Sequence, residues 1–248
     1  MDDLVLDRDL SKGSRGKKVR LVQEWLCLHA VGLEIDGSFG AATEAAVTAF
    51  QRRCGLRPTG VVNQGTFAAL TLPMVRTLAP LTARRCLGDA VAAYARRHLR
   101  EHPREVGGQN KGPWVRLYMR GNEGTDLPWC AGFACFVLKQ TCDATGVALP
   151  FPPSDSTSQL KRNAVDARLF LSGTDAGPER VTPGSFFLQR GGPTGWKHTG
   201  LVTEAGEEGF RTVEGNTNDD GSAEGYEVCA RFRAYLKSGR PAYDFITV

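Results

Sequence analysis

The chain has 248 residues, 41% hydrophobic and 23% charged, and a formal net charge of +4, which is the composition of an ordinary globular protein with room for a real core. The charge mildly favours an anionic partner, but no Lys/Arg block concentrates it, and no window approaches the ~18 apolar residues of a membrane helix, so no nucleic-acid partner, membrane insertion or oligomer is implied. Seven irregularly spaced cysteines without a CxxC pair read as free thiols of a reducing compartment rather than a disulfide framework, and argue against a structural zinc site.

The first nine residues read as a tail. "MDDLVLDRDLSKGSRGKK" opens with acids and lacks the apolar core of a secretory signal, so synthesis in a cytoplasm is expected. Residues 10–72 read as short helices broken by glycine turns. Val19, Val22, Gln23 and Leu26 fall at helical spacing. A second helix holds Val47 and Phe50, with Thr43 as its expected N-cap and Gly55 as its expected C-cap. "DGSFGAATEAAV" (36–47) is echoed 23 residues on by "TGVVNQGTFAAL" (59–70), pairing Gly37 with Gly60, Thr43 with Thr66 and Ala46 with Ala69. Three short helices make a small bundle with too little interior for catalysis, so a binding role is expected. These strings, with "GSRGKKVRLVQEWL", resemble the peptidoglycan-binding domain of bacterial wall hydrolases, which implies bacterial peptidoglycan as partner.

Residues 73–84 form the expected linker, where Pro73 and Pro80 should break any helix. From 85 to 248 a second domain is expected. It opens with a helix from about Thr82 to Glu101, then a glycine-rich loop, a helix carrying Val115 and Tyr118, and a helix beginning near Cys130. After Gly184 come "SFFLQ", "WKHTGLVTE", "FRTVEG", "YEVCARF" and "YDFITV", short runs bounded by turn residues. Helices followed by a strand meander predict an α+β domain with helices packed on an antiparallel sheet.

Cys130 follows "DLP" and precedes Phe133, Phe136 and Val137 at helical spacing, which puts it in a first turn. Unpaired N–H groups and the macrodipole there favour a thiolate. Cys135 and Cys142, deeper in the helix, read as apolar filler. A thiol nucleophile needs a base, and of four histidines His198 stands on a strand able to hold an imidazole in place. Glu214 and Asn216, two apart on the next strand, share a face, and either could fix the imidazole tautomer.

Cysteine, histidine and Glu/Asn in that order, carried by "VGGQNKGPWVRLYM", "PWCAGFACFV", "TPGSFF", "GWKHTGLVTE" and "TVEGNTNDDGS", resemble the CHAP amidohydrolase/peptidase superfamily, relatives of NlpC-type and papain-like cysteine peptidases. The resemblance implies a papain-like α+β fold with Cys130 as nucleophile, His198 as general base and acid, and Glu214 with Asn216 as polar partners. Ser185 departs from the Asp that relatives often carry after Pro-Gly. Gln109 or Asn110 is the expected second oxyanion donor beside the Cys130 N–H. Trp114, Tyr118, Trp129 and Trp196 are groove candidates, with core packing expected for at least two.

Two motifs compete. "HLREH" (98–102) fits a zinc pattern, yet Leu87, Val91, Tyr94 and His98 make one apolar stripe and Pro103 follows at once. "NTNDDGSAEGYE" (216–227) fits a calcium loop that normally needs flanking helices, and here strands flank it. The expectation is therefore no metal or other cofactor, with calcium the one candidate. The sequence predicts a wall-targeted peptidoglycan hydrolase cutting an amide by cysteine catalysis, as an amidase or an endopeptidase, acting on the wall after holin-type release or delivery by a secretion machine. A non-catalytic wall-binding protein and a zinc metallopeptidase are the alternatives.

Overall fold

A computed structural model describes residues 2–81, 85–191, 195–218 and 225–248. In chain order its helices are α1 (Lys17–Leu28), α2 (Ala41–Arg53), α3 (Gln64–Leu78), α4 (Leu87–Arg100), α5 (Pro113–Tyr118), α6 (Cys130–Thr145) and α7 (Thr157–Asp166). The strands are β1 (Phe170–Leu171), β2 (Phe186–Arg190), β3 (Trp196–Ala205), β4 (Gly209–Thr217), β5 (Glu227–Ala234), β6 (Leu236–Lys237), β7 (Arg240–Pro241) and β8 (Tyr243–Ile246). They form two compact units: Met1–Arg76 with Arg104–Thr125, and Thr77–Pro103 with Asp126–Val248.

The first unit is helical, and its repeat rests on two buried glutamines. Gln23 Nε2 reaches Asp36 Oδ1 (2.8 Å), Ser38 O (3.2 Å) and Thr43 Oγ1 (3.2 Å), while its Oε1 accepts the Gly37 N–H (2.8 Å). Gln51 does the same one repeat later, to Thr59 Oγ1 (3.3 Å), Val61 O (2.9 Å), Thr66 Oγ1 (3.0 Å) and the Gly60 N–H (3.0 Å). Each glutamine is 1% exposed, so an amide that would be costly to bury alone is satisfied by the backbone and a side chain of the following turn and by a threonine of the next helix. Thr43 is therefore not the N-cap of α2, a position held by Gly40; its hydroxyl is spent on Gln23. The C-cap of α2 is Cys54, one residue before the expected Gly55, which follows it at φ 69° in the left-handed conformation that ends the helix.

Pro73 does not break the chain into a linker as predicted: it lies inside α3, which runs on to Leu78. Leu70, Met74 and Thr77 are fully buried along one stripe of that helix. Burying apolar side chains at ~2 kcal/mol each offsets the ~3 kcal/mol that an interior proline costs.

Residues 104–125, placed in the second domain by the sequence, cluster with the first unit. Trp114 on α5 meets Trp25 edge-on at 6.0 Å and stacks on Tyr118 at 6.3 Å. Arg116 Nε binds Asp3 Oδ2 (2.9 Å), its Nη2 Glu24 Oε2 (2.6 Å) and its Nη1 Glu123 Oε2 (2.8 Å).

In the second unit a six-stranded antiparallel sheet runs β1-β8-β2-β3-β4-β5, and β6 pairs with β7 in a separate hairpin. β2 to β5 are the predicted meander, and β8 returns beside β2 with Phe187 opposite Phe245. Helices α4 and α6 pack on each other and on β3. Phe187, Val202, Phe210, Tyr243 and Phe245 share a core cluster. The described part of α4 starts at Leu87, capped by the Cys86 sulfur on the Asp89 N–H; its predicted start at Thr82 lies outside the described residues. Helix α7, capped by Ser156, was not anticipated.

Candidate active site

Cys130 is the first residue of α6, behind Trp129 at the N-cap, so its sulfur stands among N–H groups that the helix leaves unpaired. The backbone of Thr199 and Ala131 and the His198 ring lie near enough to its sulfur to lower its pKa. His198 Nε2 is 2.8 Å from Glu214 Oε2, which leaves Nδ1 for the thiol. All three are buried: Cys130 is 5% exposed, His198 6% and Glu214 0%.

The Glu214 carboxylate is satisfied on every side. Arg233 on β5 grips it in a fork, Nε on Oε1 at 2.6 Å and Nη2 on Oε2 at 2.5 Å, and Thr212 Oγ1 adds 2.5 Å to Oε1. Arg233 Nη1 also donates to Tyr243 OH at 3.2 Å, and the guanidinium lies over the Phe187 ring, 4.7 Å from its centre. The result is one line from Cys130 through His198 and Glu214 to Arg233.

Two glycines allow it. A methyl on Gly200 would stand 2.8 Å from Glu214 Cγ and 2.9 Å from both Phe187 Cε1 and Val213 O, so the His198 strand could not lie this close to Glu214. A methyl on Gly215 would stand 2.6 Å from Phe133 Cβ and 2.7 Å from Trp129 Cζ3, so β4 could not touch α6. These are the glycines of "HTG" and "EGN".

The charges sit as this wiring demands. Burial pushes the Cys130 thiol up, but the His198 hydrogen bond and charge and the two N–H groups outweigh it, and the net direction is down. Burial pushes His198 down, and the Cys130 and Glu214 hydrogen bonds reverse that, to about 9. Burial would raise Glu214, yet the Arg233 and His198 hydrogen bonds hold it at about 2. These directions favour a thiolate beside an imidazolium, backed by an ionised carboxylate and a guanidinium.

Asn216 follows a different geometry from the one that strand alternation predicts. It stands at φ 53°, in a register shift between Glu214 and Thr217, so the two-residue pleat ends before it. Glu214 is the histidine's partner; Asn216 is 3% exposed, and its Oδ1 has no hydrogen-bond partner among the described residues.

The remaining candidates divide by unit. Gln109, Asn110, Trp114 and Tyr118 belong to the first unit. Gln109 is exposed; Asn110 Nδ2 donates to Thr125 O at 2.8 Å; Trp114 and Tyr118 are buried. Trp129, in the second unit, is buried under Gly215. Trp196 is half-buried, with Nε1 on Asp244 Oδ2 at 2.8 Å. Ser185 is buried, and its carbonyl accepts the Val202 N–H at 2.8 Å. Cys135 and Cys142 are buried in α6. His98 is in the core against Gln140 and is lowered by burial to about 4; His102 bonds Glu227. Residues 219–224 of the calcium-loop candidate lie outside the described residues. Among the described residues no group of three or more His, Cys, Asp or Glu could hold a metal ion, and no helix is long and apolar enough to cross a membrane.

Arg233 is the member of this buried line that the sequence did not single out. The signal available was its alternation with Arg231 on a strand beside "TVEGN", which reads equally as a solvated edge.

Comparison with known proteins gives a family match within the first unit. Residues 15–70 match the profile of the family described as "Putative peptidoglycan binding domain", so the chain carries a domain of that kind. No curated protein matches the chain. Among solved structures, the crystal structure of Burkholderia AP3 phage endolysin is similar over 43% of this chain and 41% of that one, at 25% identity and a TM-score of 0.26. The similarity thus spans less than half the length of either protein.

Proposed function

We propose that the chain is a peptidoglycan hydrolase in which a CHAP-like second unit, papain-like in its chemistry, cuts an amide of the wall peptide through Cys130, while the first unit holds the wall. The observation that carries this reading is the buried line Cys130, His198, Glu214, Arg233, in which each group charges or orients the one before it. A merely structural cysteine gains nothing from such an arrangement. The peptidoglycan-binding match supplies the substrate class.

In this mechanism the Cys130 thiolate attacks the amide carbonyl carbon, and the C–S bond forms as the carbonyl π pair moves to oxygen. The oxyanion is met by the Cys130 N–H at the start of α6. The His198 imidazolium gives its proton to the amine nitrogen, the C–N bond breaks and the amine leaves. Neutral His198 then takes a proton from water, whose oxygen attacks the thioester, and collapse releases the carboxylic acid and returns the thiol proton to the pair. Glu214 stabilises the imidazolium and fixes its tautomer, as the third member of a triad does. No cofactor enters these steps. Binding by the first unit raises local substrate concentration without changing the chemistry.

The test uses purified wall sacculi. Cys130→Ser or His198→Ala is expected to abolish release of soluble fragments while sacculus pull-down stays intact, and mass spectrometry of the wild-type products identifies the amide cut. Full activity in Cys130→Ser would overturn the cysteine mechanism.

A further inference from the structure

A cleft of about 370 Å³ opens at the end of the sheet where β2 finishes and β3 and β8 begin, and its lining includes Gln189, Arg190, Lys197, Lys237, Arg240 and Tyr243. Among the described residues no acidic side chain lines it. Arg190 alone among its cations is answered, Nη2 lying 2.5 Å from Asp244 Oδ1. Asp244 is itself fully engaged, with Oδ1 also accepting the Gly173 N–H (2.9 Å) and Oδ2 the Trp196 Nε1–H (2.8 Å). Lys197, Lys237 and Arg240 have no ion-pair partner among the described residues. Three unanswered cations around one concavity repel one another, focus a positive field and raise the local concentration of anions.

The cleft also borders the reactive line. Lys197 directly precedes His198, Gln189 is the register partner of His198 across β2 and β3, and Tyr243 OH accepts the Arg233 Nη1–H. The cleft thus shares the β2/β3 register of His198 and touches the outer end of the Glu214–Arg233 pair through Tyr243. Its volume suits one or two residues of a peptide rather than a polymer segment. Arg240 offers a planar fork that matches a carboxylate, and the lysines add point charges.

We propose that this cleft is an anion subsite that takes a free carboxylate of the wall peptide whose amide Cys130 attacks, so that the enzyme prefers stem peptides with ionised over amidated carboxyl groups. The proposal rests on the cysteine-hydrolase reading for its substrate, but binding to the cleft does not need turnover. A wall phosphodiester polymer shares the anionic chemistry, and the test separates the two.

The probe is a soluble disaccharide stem-peptide fragment, prepared with free carboxylates and again with those carboxylates amidated. Its binding is measured by calorimetry to the Cys130→Ser protein and to the same protein carrying K197Q, K237Q and R240Q. All three cations are exposed, so the fold is expected to tolerate the changes, and thermal melting of each single variant checks that. Amidating the fragment or neutralising the three cations should each weaken binding about tenfold, and the two losses should not add when combined, since both remove the same contact. In the active protein the three substitutions should raise KM and leave kcat within about twofold. Equal binding of free and amidated fragments overturns the proposal, as does fully additive loss. Tight binding of polyglycerol phosphate that depends on these cations, with no response to fragment amidation, assigns the cleft to the phosphodiester instead. Should Cys130→Ser retain cleavage, the hydrolase reading fails while the binding result stands on its own.

Discussion

At the residue scale, Arg233 sets the condition on which the other three groups depend. Glu214 is fully buried, and an ionised carboxylate there is tolerable only because Arg233 and Thr212 hold it. Arg233→Met leaves that charge without its partner and should cost on the order of 3 kcal/mol of stability. The sign of the pH dependence follows from the depressed carboxyl. Glu214 at about 2 contributes stability that is present above the ordinary carboxylate range and is lost as pH falls toward 2. The gap between wild type and variant in denaturant titrations should therefore be widest above pH ~4.5 and narrow toward pH 2; a gap independent of pH contradicts the role given to Arg233. Activity should fade in the other direction. His198, raised to about 9, loses its proton as pH rises through that value, and the rate on a soluble fragment should fall with it. Strand alternation could place His198 and Glu214 because both sit in regular pleat. It could not place Asn216 beyond a register shift, or Arg233, whose meeting with Glu214 is fixed by a pairing between strands.

At the scale of elements, the site depends on how closely β3, β4 and α6 approach, and small residues set that distance. Gly200→Ala forces a methyl against Glu214 Cγ, the Phe187 ring and the Val213 carbonyl at 2.8 to 2.9 Å. Backbone and a packed ring cannot yield cheaply, so a stability loss of about 2 kcal/mol is expected, with a fall in kcat as Glu214 is displaced from His198. Gly206→Ala serves as the control, because a methyl there meets only Gly209 O at 3.7 Å, and it should change stability by less than about 0.5 kcal/mol. Equal melting temperatures for the two variants would show that the strands have slack. The meander was legible because its strands are short β-rich runs between turn residues. Helix α3 was legible only to Pro73, since a local breaker is visible in sequence while the stripe of Leu70, Met74 and Thr77 that overrides it acts through burial. Helix α7 leaves little trace in the sequence because "TSQLKRNAVD" carries only two buried residues, Leu160 and Ala164.

At the scale of the whole molecule, the two units are interleaved along the chain, which crosses between them after Arg76, Pro103 and Thr125. The sequence echo marks the repeat but not the later segment that completes the first unit, because the pairing of Trp114 with Trp25 joins residues far apart in the chain. A cut at the apparent domain boundary consequently divides one unit instead of separating two. Removing residues 1–76 takes away Trp25 and two of the three carboxylates bound by Arg116, Asp3 and Glu24, while leaving 104–125 behind. The orphaned segment would expose Trp114 and Tyr118, apolar surface that the intact protein covers at ~2 kcal/mol or more for each large side chain. The truncated chain 77–248 is expected to bind a hydrophobic dye, to melt lower than the intact protein and to aggregate. Removing 104–125 as well, with a flexible Gly/Ser linker joining Pro103 to Asp126, should abolish the dye binding and recover a cooperative melt. If chain 77–248 alone stays soluble, dye-free and as stable as the second unit within the intact protein, residues 104–125 belong to the second unit after all, and the glycine-rich loop returns as a candidate beside Cys130.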